Sequence, residues 1–265
     1  MPTIRANGID IYYQIHGQGE PLLLIAGLGC DCLLWTPILD ALARQYQVII
    51  FDNRGAGRSS APDALYSVDQ MAADTFALLD HLKICKTHVL GHSLGGAVAQ
   101  TLAHQHPRVV NKLILCTTSQ RFNQVSRLVE SNILALREKS IAIPLIVDAI
   151  LPWLYSSNFL EKSQQLETLK AQMLHAPYPQ STIGFKGQYY ALATFDSSDW
   201  LAMISNPTLV LAGEDDRLCL HDPHTLAKTL KQAQYIVFPH TGHLPFVEAP
   251  EDFVRHIIAF METLF

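Results

Sequence analysis

The ten residues VLGHSLGGAV, 89–98, decide the fold of this chain. They set Ser93 among Gly91, Gly95 and Gly96, between a short apolar run and a run that reads as helix. Glycines cost conformational entropy, so the backbone there must need the room they leave. Val89 and Leu90 close a strand-like piece, and AVAQTLAHQH (97–106) continues as helix. Ser93 therefore falls in a tight strand-to-helix turn of the form Gly-x-Ser-x-Gly. Glycines at 91 and 95 remove side chains that would strike the neighbouring strand and helix, and the serine is left strained with its hydroxyl at the top edge of a sheet. The helix N-terminus behind it favours negative charge.

Outward from this turn, strand-like pieces recur at 10–16, 21–27, 47–52, 87–91, 112–116, 207–213 and 234–239. They are short, aliphatic and β-branched, as strands buried on both faces should be. Helix-length segments separate several of them. In SVDQMAADTFALLDHL (67–82), Met71, Phe76, Leu78, Leu79 and Leu82 can share one face. Strand and helix in alternation predict an α/β fold with a mostly parallel, doubly wound sheet and right-handed crossovers.

The alternation stops between about 120 and 199. Val125, Leu128, Val129 and Leu136 recur at helical spacing there, as do Leu166, Leu169 and Met173, amid a concentration of aromatic residues. The spacing predicts a core made of 1–119 and 200–265 with a helical cap inserted at 120–199. Helices of the same core are the alternative, and the two differ in whether some of those aromatics line a pocket.

Bulk composition narrows the function. Of 265 residues, 49% are apolar and 16% charged, enough for a large core and unlike a disordered chain. The formal charge is −5 and no long Lys/Arg run occurs, which argues against a nucleic-acid partner. The opening MPTIRANGIDIYY lacks the charged head and apolar segment of a signal peptide. No run approaches the ~18 apolar residues of a membrane span. A cytoplasmic location is expected. The five cysteines, Cys30, Cys32, Cys85, Cys116 and Cys219, are odd in number and irregular in spacing, so buried thiols are expected rather than disulfides. Cys30 and Cys32 lack the second Cys or His pair of a zinc site.

A serine nucleophile needs a base, and the base needs an orienting acid. His243, in HTGHLPFVEAPEDF (240–253), follows a strand-like piece, with His240 as its competitor. Asp215 and Asp216, in LVLAGEDDRLCL (209–220), follow another. All lie at strand ends, where an open parallel sheet collects its active site. His92, beside Ser93, is expected to pack or orient rather than act as base. RGAGRS (54–59) lacks the pattern of a phosphate loop, so Asp52 and Arg54 are expected to hold their loop together.

With these residues in hand, the chain resembles the α/β-hydrolase superfamily over essentially its whole length. The resemblance rests on Gly-x-Ser-x-Gly at 91–95, DNRGAGRS at 52–59, Gly-x-x-Asp at 213–216 and GHLPFVEAPEDF at 242–253, in that family's order. It implies a Ser93–Asp216–His243 triad, since the family's acid stands three residues after the glycine. It implies an oxyanion hole from the backbone N–H groups of Leu94 and Leu28. The family usually has His-Gly-x where this chain has Ala26-Gly27-Leu28. Glu248 matches a position whose role is usually structural. The implied activities are those of small carboxylesterases, enol-lactonases and carbon–carbon hydrolases, with no cofactor or metal and a partly apolar small-molecule ester or lactone as substrate. An ester or lactone hydrolase working through an acyl-enzyme is the leading expectation. Hydrolysis of a vinylogous diketone, or a non-turnover ligand receptor on the same fold, are its competitors. Haloalkane dehalogenation is disfavoured by serine at 93 in place of aspartate.

Overall fold

A computed structural model describes residues 2–220 and 222–264. Its strands are β1 (Thr3–Ala6), β2 (Ile9–His16), β3 (Glu20–Ile25), β4 (Tyr46–Phe51), β5 (Thr87–His92), β6 (Val110–Cys116), β7 (Thr208–Gly213) and β8 (Ala233–Phe238). They form one eight-stranded sheet in the order β1-β2-β4-β3-β5-β6-β7-β8. β2 runs antiparallel to β1 and β4, and every later pairing is parallel. The predicted α/β class and mostly parallel sheet therefore hold.

Alternation within the central strands builds the two faces. Leu23, Ile25, Val89, Leu113, Leu115 and Val210 pack on one side with α2 (Val68–His81) and α3 (Leu94–Gln105). Leu22, Leu24, Leu90, Ile114, Leu209 and Leu211 pack on the other with α1 (Thr36–Ala43). The C-terminal helix shares that second side, through Phe253, Ile257 and Phe260. Because both faces are covered, β5 and β7 are buried along their whole length.

Two strand expectations need correction. β1 lies outside every predicted piece; it is four residues long and pairs with β2 across Asn7-Gly8, both at positive φ. Asn-Gly between extended segments is a hairpin signal that would have found it. β2, where Asp10 and Ile15 are exposed, is not buried on both faces, and neither is β8. β8 is the last strand of the sheet, and Tyr235 and Val237 are exposed.

Between β6 and β7 the chain forms α4 (Gln124–Glu138), α5 (Ile143–Leu154), α6 (Ser157–Leu160), α7 (Ser163–Leu174) and α8 (Thr182–Thr194). The stripe α4 buries is Ser126, Val129, Glu130, Ile133 and Leu134, whereas Leu128, expected on that face, is exposed. Ile133, Leu134, Ile146 and Phe185 make a small cluster of their own, against which Leu28 packs. After β7 come α9 (Asp222–Thr229), α10 (Pro245–Glu248) and α11 (Pro250–Glu262). All five cysteines are free, and Cys85 is exposed rather than buried as expected. No helix among the described residues is long and apolar enough to cross a membrane.

Candidate active site

Ser93 separates β5 from α3 at φ 53° and ψ −119°, a conformation that costs a non-glycine residue strain. The close approach around it explains the glycines. A side chain at Gly91 would run into the backbone of Gly95 and Gly96, and one at Gly95 into the carbonyls of Ile25 and Ala26. The end of β6 then holds the turn. Ser93 N–H donates to the Cys116 carbonyl at 3.0 Å, and the Thr118 hydroxyl donates to the Ser93 carbonyl at 2.7 Å.

That same strand end holds His243. The Thr117 hydroxyl donates to the His243 carbonyl at 2.9 Å, and His92 Nε2 donates to it at 3.1 Å. The His92 and His243 rings lie 4.9 Å apart, centre to centre. Adjacent residues Cys116, Thr117 and Thr118 thus bring the Ser93 turn and the His243 loop side by side. His243 Nδ1 lies 3.0 Å from Asp216 Oδ2, and both residues are buried. A carboxylate only accepts, so Nδ1 carries the proton and Nε2 is left as the basic nitrogen. Asp216 Oδ1 accepts from the N–H groups of Leu218 at 2.9 Å and Cys219 at 3.1 Å, which fixes the carboxylate's orientation.

The competing residues stand elsewhere. Asp215 is half-buried, and its N–H donates to the Thr241 carbonyl. His240 has a largely exposed side chain beside Glu214, 3.6 Å away. His92 is buried between Trp35 and Phe246, and burial holds its pKa well below the ordinary value, so it stays neutral. Asp216, Cys219 and His243 place possible metal-ligand atoms within 4.8 Å of one another. A metal there would have to break the Asp216–His243 hydrogen bond, and burial raises the Cys219 thiol well above its usual range.

The amides of Leu94 and Leu28 make no hydrogen bond among the described residues. Leu94 opens α3, where N–H groups lack helical acceptors. The segment before Leu28 is anchored by Asn53, whose amide donates to the Ala26 carbonyl at 2.9 Å. Asp52 and Arg54 take different partners. Asp52 pairs with Arg58 at 2.9 Å and accepts from Cys32 N–H at 2.8 Å, while Arg54 reaches Asp74 on α2. Arg58 also lies over the Tyr12 ring at 3.7 Å and the Tyr178 ring at 4.1 Å, tying β2 to the segment between β6 and β7. Glu248 accepts from Gly242 N–H at 2.9 Å and from both the N–H and hydroxyl of Ser156, and His243 N–H donates to the Leu154 carbonyl at 2.9 Å. The loop that carries the histidine is thereby stitched to the end of α5.

Glu130 is a functional candidate that periodicity alone did not pick out. It is buried on α4, and burial lifts its pKa from 4.5 to about 7, although the charges of His243 and Arg137 oppose the shift. The sign follows from proton counting. Between 4.5 and about 7 the native protein keeps a proton that the unfolded chain has lost, so stability falls as pH rises through that window and is level above it. Glu130→Gln should remove this slope. It should leave stability unchanged at low pH and raise it by about 3 kcal/mol above pH 7, an order-of-magnitude figure from the shift. Urea unfolding of both proteins at pH 5 and pH 8 measures it; parallel pH dependence in the two would contradict the burial argument.

Comparison with known proteins identifies the family. The family described as alpha/beta hydrolase fold matches residues 20–250, and this chain belongs to it. It is an enzyme of that family. A protein from Azorhizobium caulinodans carrying the name carbamate hydrolase RutD is 34% identical over 82% of each chain. 3-Oxoadipate enol-lactonase 2 of Acinetobacter baylyi is 29% identical over 98% of this chain and 96% of its own. The crystal structure of an enol-lactonase from Burkholderia xenovorans superposes with a TM-score of 0.90 at 25% identity, covering 99% of this chain and 100% of the other.

Proposed function

We propose that the protein hydrolyses a carboxylic ester or lactone through a Ser93–His243–Asp216 triad and an acyl-enzyme. The observation that carries this reading is the His243 Nδ1 to Asp216 Oδ2 hydrogen bond, set beside a strained serine at a helix N-terminus. His243 Nε2 takes the Ser93 proton as Oγ attacks the acyl carbon, and the N–H groups of Leu94 and Leu28 hold the oxyanion. The alcohol leaves with the proton from His243. Water, deprotonated by the same nitrogen, then attacks the acyl group, and the acid and free serine are regenerated. Asp216 keeps the imidazole oriented and stabilises its charged form.

Residues 120–199 act in this reading as a cap on the core of 1–119 and 200–265. The apolar cluster of Ile133, Leu134, Ile146 and Phe185 beside Leu28 supports a partly apolar acyl or leaving group. The names borne by the relatives make lactones and carbamates the first compounds to add to an ester panel. Both, like esters, offer a carbonyl with a heteroatom leaving group.

The test pairs a fluorophosphonate with p-nitrophenyl esters of increasing acyl length, a lactone and a carbamate. A single phosphonyl adduct on the peptide holding Ser93, with steady turnover of at least one panel member, is expected. Stoichiometric acylation without turnover would favour a receptor. No adduct at Ser93 would overturn the reading.

A further inference from the structure

The segment that offers the Leu28 amide is held on both sides, and one of its two anchors belongs to the cap. On the N-terminal side, Asn53 grips the Ala26 carbonyl. On the C-terminal side, the N–H of Gly29 donates to Gln188 Oε1 at 3.1 Å. Gln188 lies on α8 and is fully buried. Its amide nitrogen donates to the Arg54 carbonyl at 2.8 Å, and its oxygen accepts a second hydrogen bond from Gln180 Nε2 at 3.0 Å. Gln180 Nε2 also donates to the Gly55 carbonyl at 2.9 Å, and Arg137 of α4 donates to the Gln180 carbonyl at 3.2 Å. The shape of α8 serves this contact. A side chain at Gly184 would collide with Gly55, and one at Gly187 with the Tyr66 ring. The helix therefore comes close enough for a glutamine side chain to reach across.

We infer that Gln188 is a positioning residue for the oxyanion hole: by holding Gly29 from the cap, it aims the neighbouring Leu28 N–H at the site where the oxyanion forms. The inference rests on the triad reading above. Its chemistry is simple. A buried amide side chain with both ends satisfied has little freedom, and a peptide plane adjacent to a fixed N–H can swing little. The contact also makes assembly of the oxyanion hole depend on a seated cap. It supplies support at a loop where Ala26 stands in place of the family's usual histidine.

The experiment compares Gln188→Met, which keeps the shape and removes both hydrogen-bonding ends, with Gln188→Glu, which keeps an oxygen for the Gly29 N–H. Each is assayed for kcat and KM on the best p-nitrophenyl ester, for melting temperature, and for inhibition by an alkyl trifluoromethyl ketone. That ketone adds to the serine to give a tetrahedral oxyanion. Q188M should lose about 10²-fold in kcat, since a misplaced group about 1 Å away costs on that order. Its KM should stay near wild type, and its inhibition constant for the ketone should rise in step with the loss in kcat. Q188E should recover most of the rate at low pH, where its buried carboxyl is protonated and can donate to the Arg54 carbonyl as the amide does, and lose it as the carboxyl ionises. A lower melting temperature with kcat and ketone affinity unmoved would make Gln188 purely structural and overturn the inference. If Q188M does not fold, the pH profile of Q188E decides: a rate that stays near wild type after its carboxyl ionises, or that is lost 10²-fold even while it is protonated, would overturn the inference. Failure of the wild-type enzyme to form the ketone adduct would instead remove the triad reading, and this inference with it.

Discussion

Ser93→Ala should lower kcat on the order of 10⁶-fold, and Asp216→Asn about 10⁴-fold, with folding intact in both. On the proposed mechanism the serine change removes the atom that forms the acyl bond, and what is left is water in a site still able to bind substrate and stabilise an oxyanion. The Asp216 change acts through tautomer. Asparagine can still accept from Leu218 and Cys219 through its oxygen, so the loop keeps its shape. The atom facing His243 Nδ1, 3.0 Å away, then becomes an N–H donor. Nδ1 must accept, the ring proton moves to Nε2, and the imidazole can no longer take the Ser93 proton. Asp215→Asn is the internal control and should leave kcat unchanged, because among the described residues no hydrogen bond or ion pair joins the Asp215 side chain to His243 or Ser93. Steady-state kinetics of the three variants on one ester decide the matter. A rate lost in Asp215→Asn but kept in Asp216→Asn would reassign the acid.

The turn at Ser93 was legible because its determinants are contiguous: strand, glycines, serine and helix all fall within 89–106. The central strands were legible for a similar reason. Burial on both faces demands unbroken apolar runs such as Leu22 to Ile25, whatever their partners are. What the pattern concealed lies at the margins or between distant segments. β1 is too short to show a period. β8 looks like an interior strand and becomes an edge only because no ninth strand pairs with it among the described residues. Leu128 shares the helical spacing of α4 but falls off its buried stripe, since an apolar residue on a surface helix costs little. The anchors of the site were least visible. Asn53, Gln188 and Asp74 are ordinary polar residues, and each matters through partners far away in sequence, among them Ala26, Gly29 and Arg54. Glu130 differs from a surface glutamate only by the face of the helix it occupies.

Asp74→Ala should destabilise the protein by about 3–5 kcal/mol. Arg54 Nε donates to Asp74 Oδ2 at 2.8 Å and Arg54 Nη2 to Asp74 Oδ1 at 2.9 Å, a bidentate pair with both side chains almost fully buried. Asn7 adds a third donor to the same carboxylate at 3.0 Å. Removing the carboxylate leaves a guanidinium that cannot give up its charge and cannot reach water, and that uncompensated charge dominates the cost. The cost is distinct from the worth of the pair. Replacing both residues, as Arg54→Met with Asp74→Leu, removes the stranded charge and should restore more than half of the loss. Urea unfolding of the single and double variants separates the two quantities, with the single variant also melting roughly 10 °C lower. The pair joins the loop after β4 to α2, and the Arg54 carbonyl is one of the two points that Gln188 grips. Asp74→Ala should therefore also reduce kcat more than KM, because loosening Arg54 loosens the hold of Gln188 on Gly29. A variant that loses the stability but keeps the full catalytic rate would show that the loop holds its place without the ion pair.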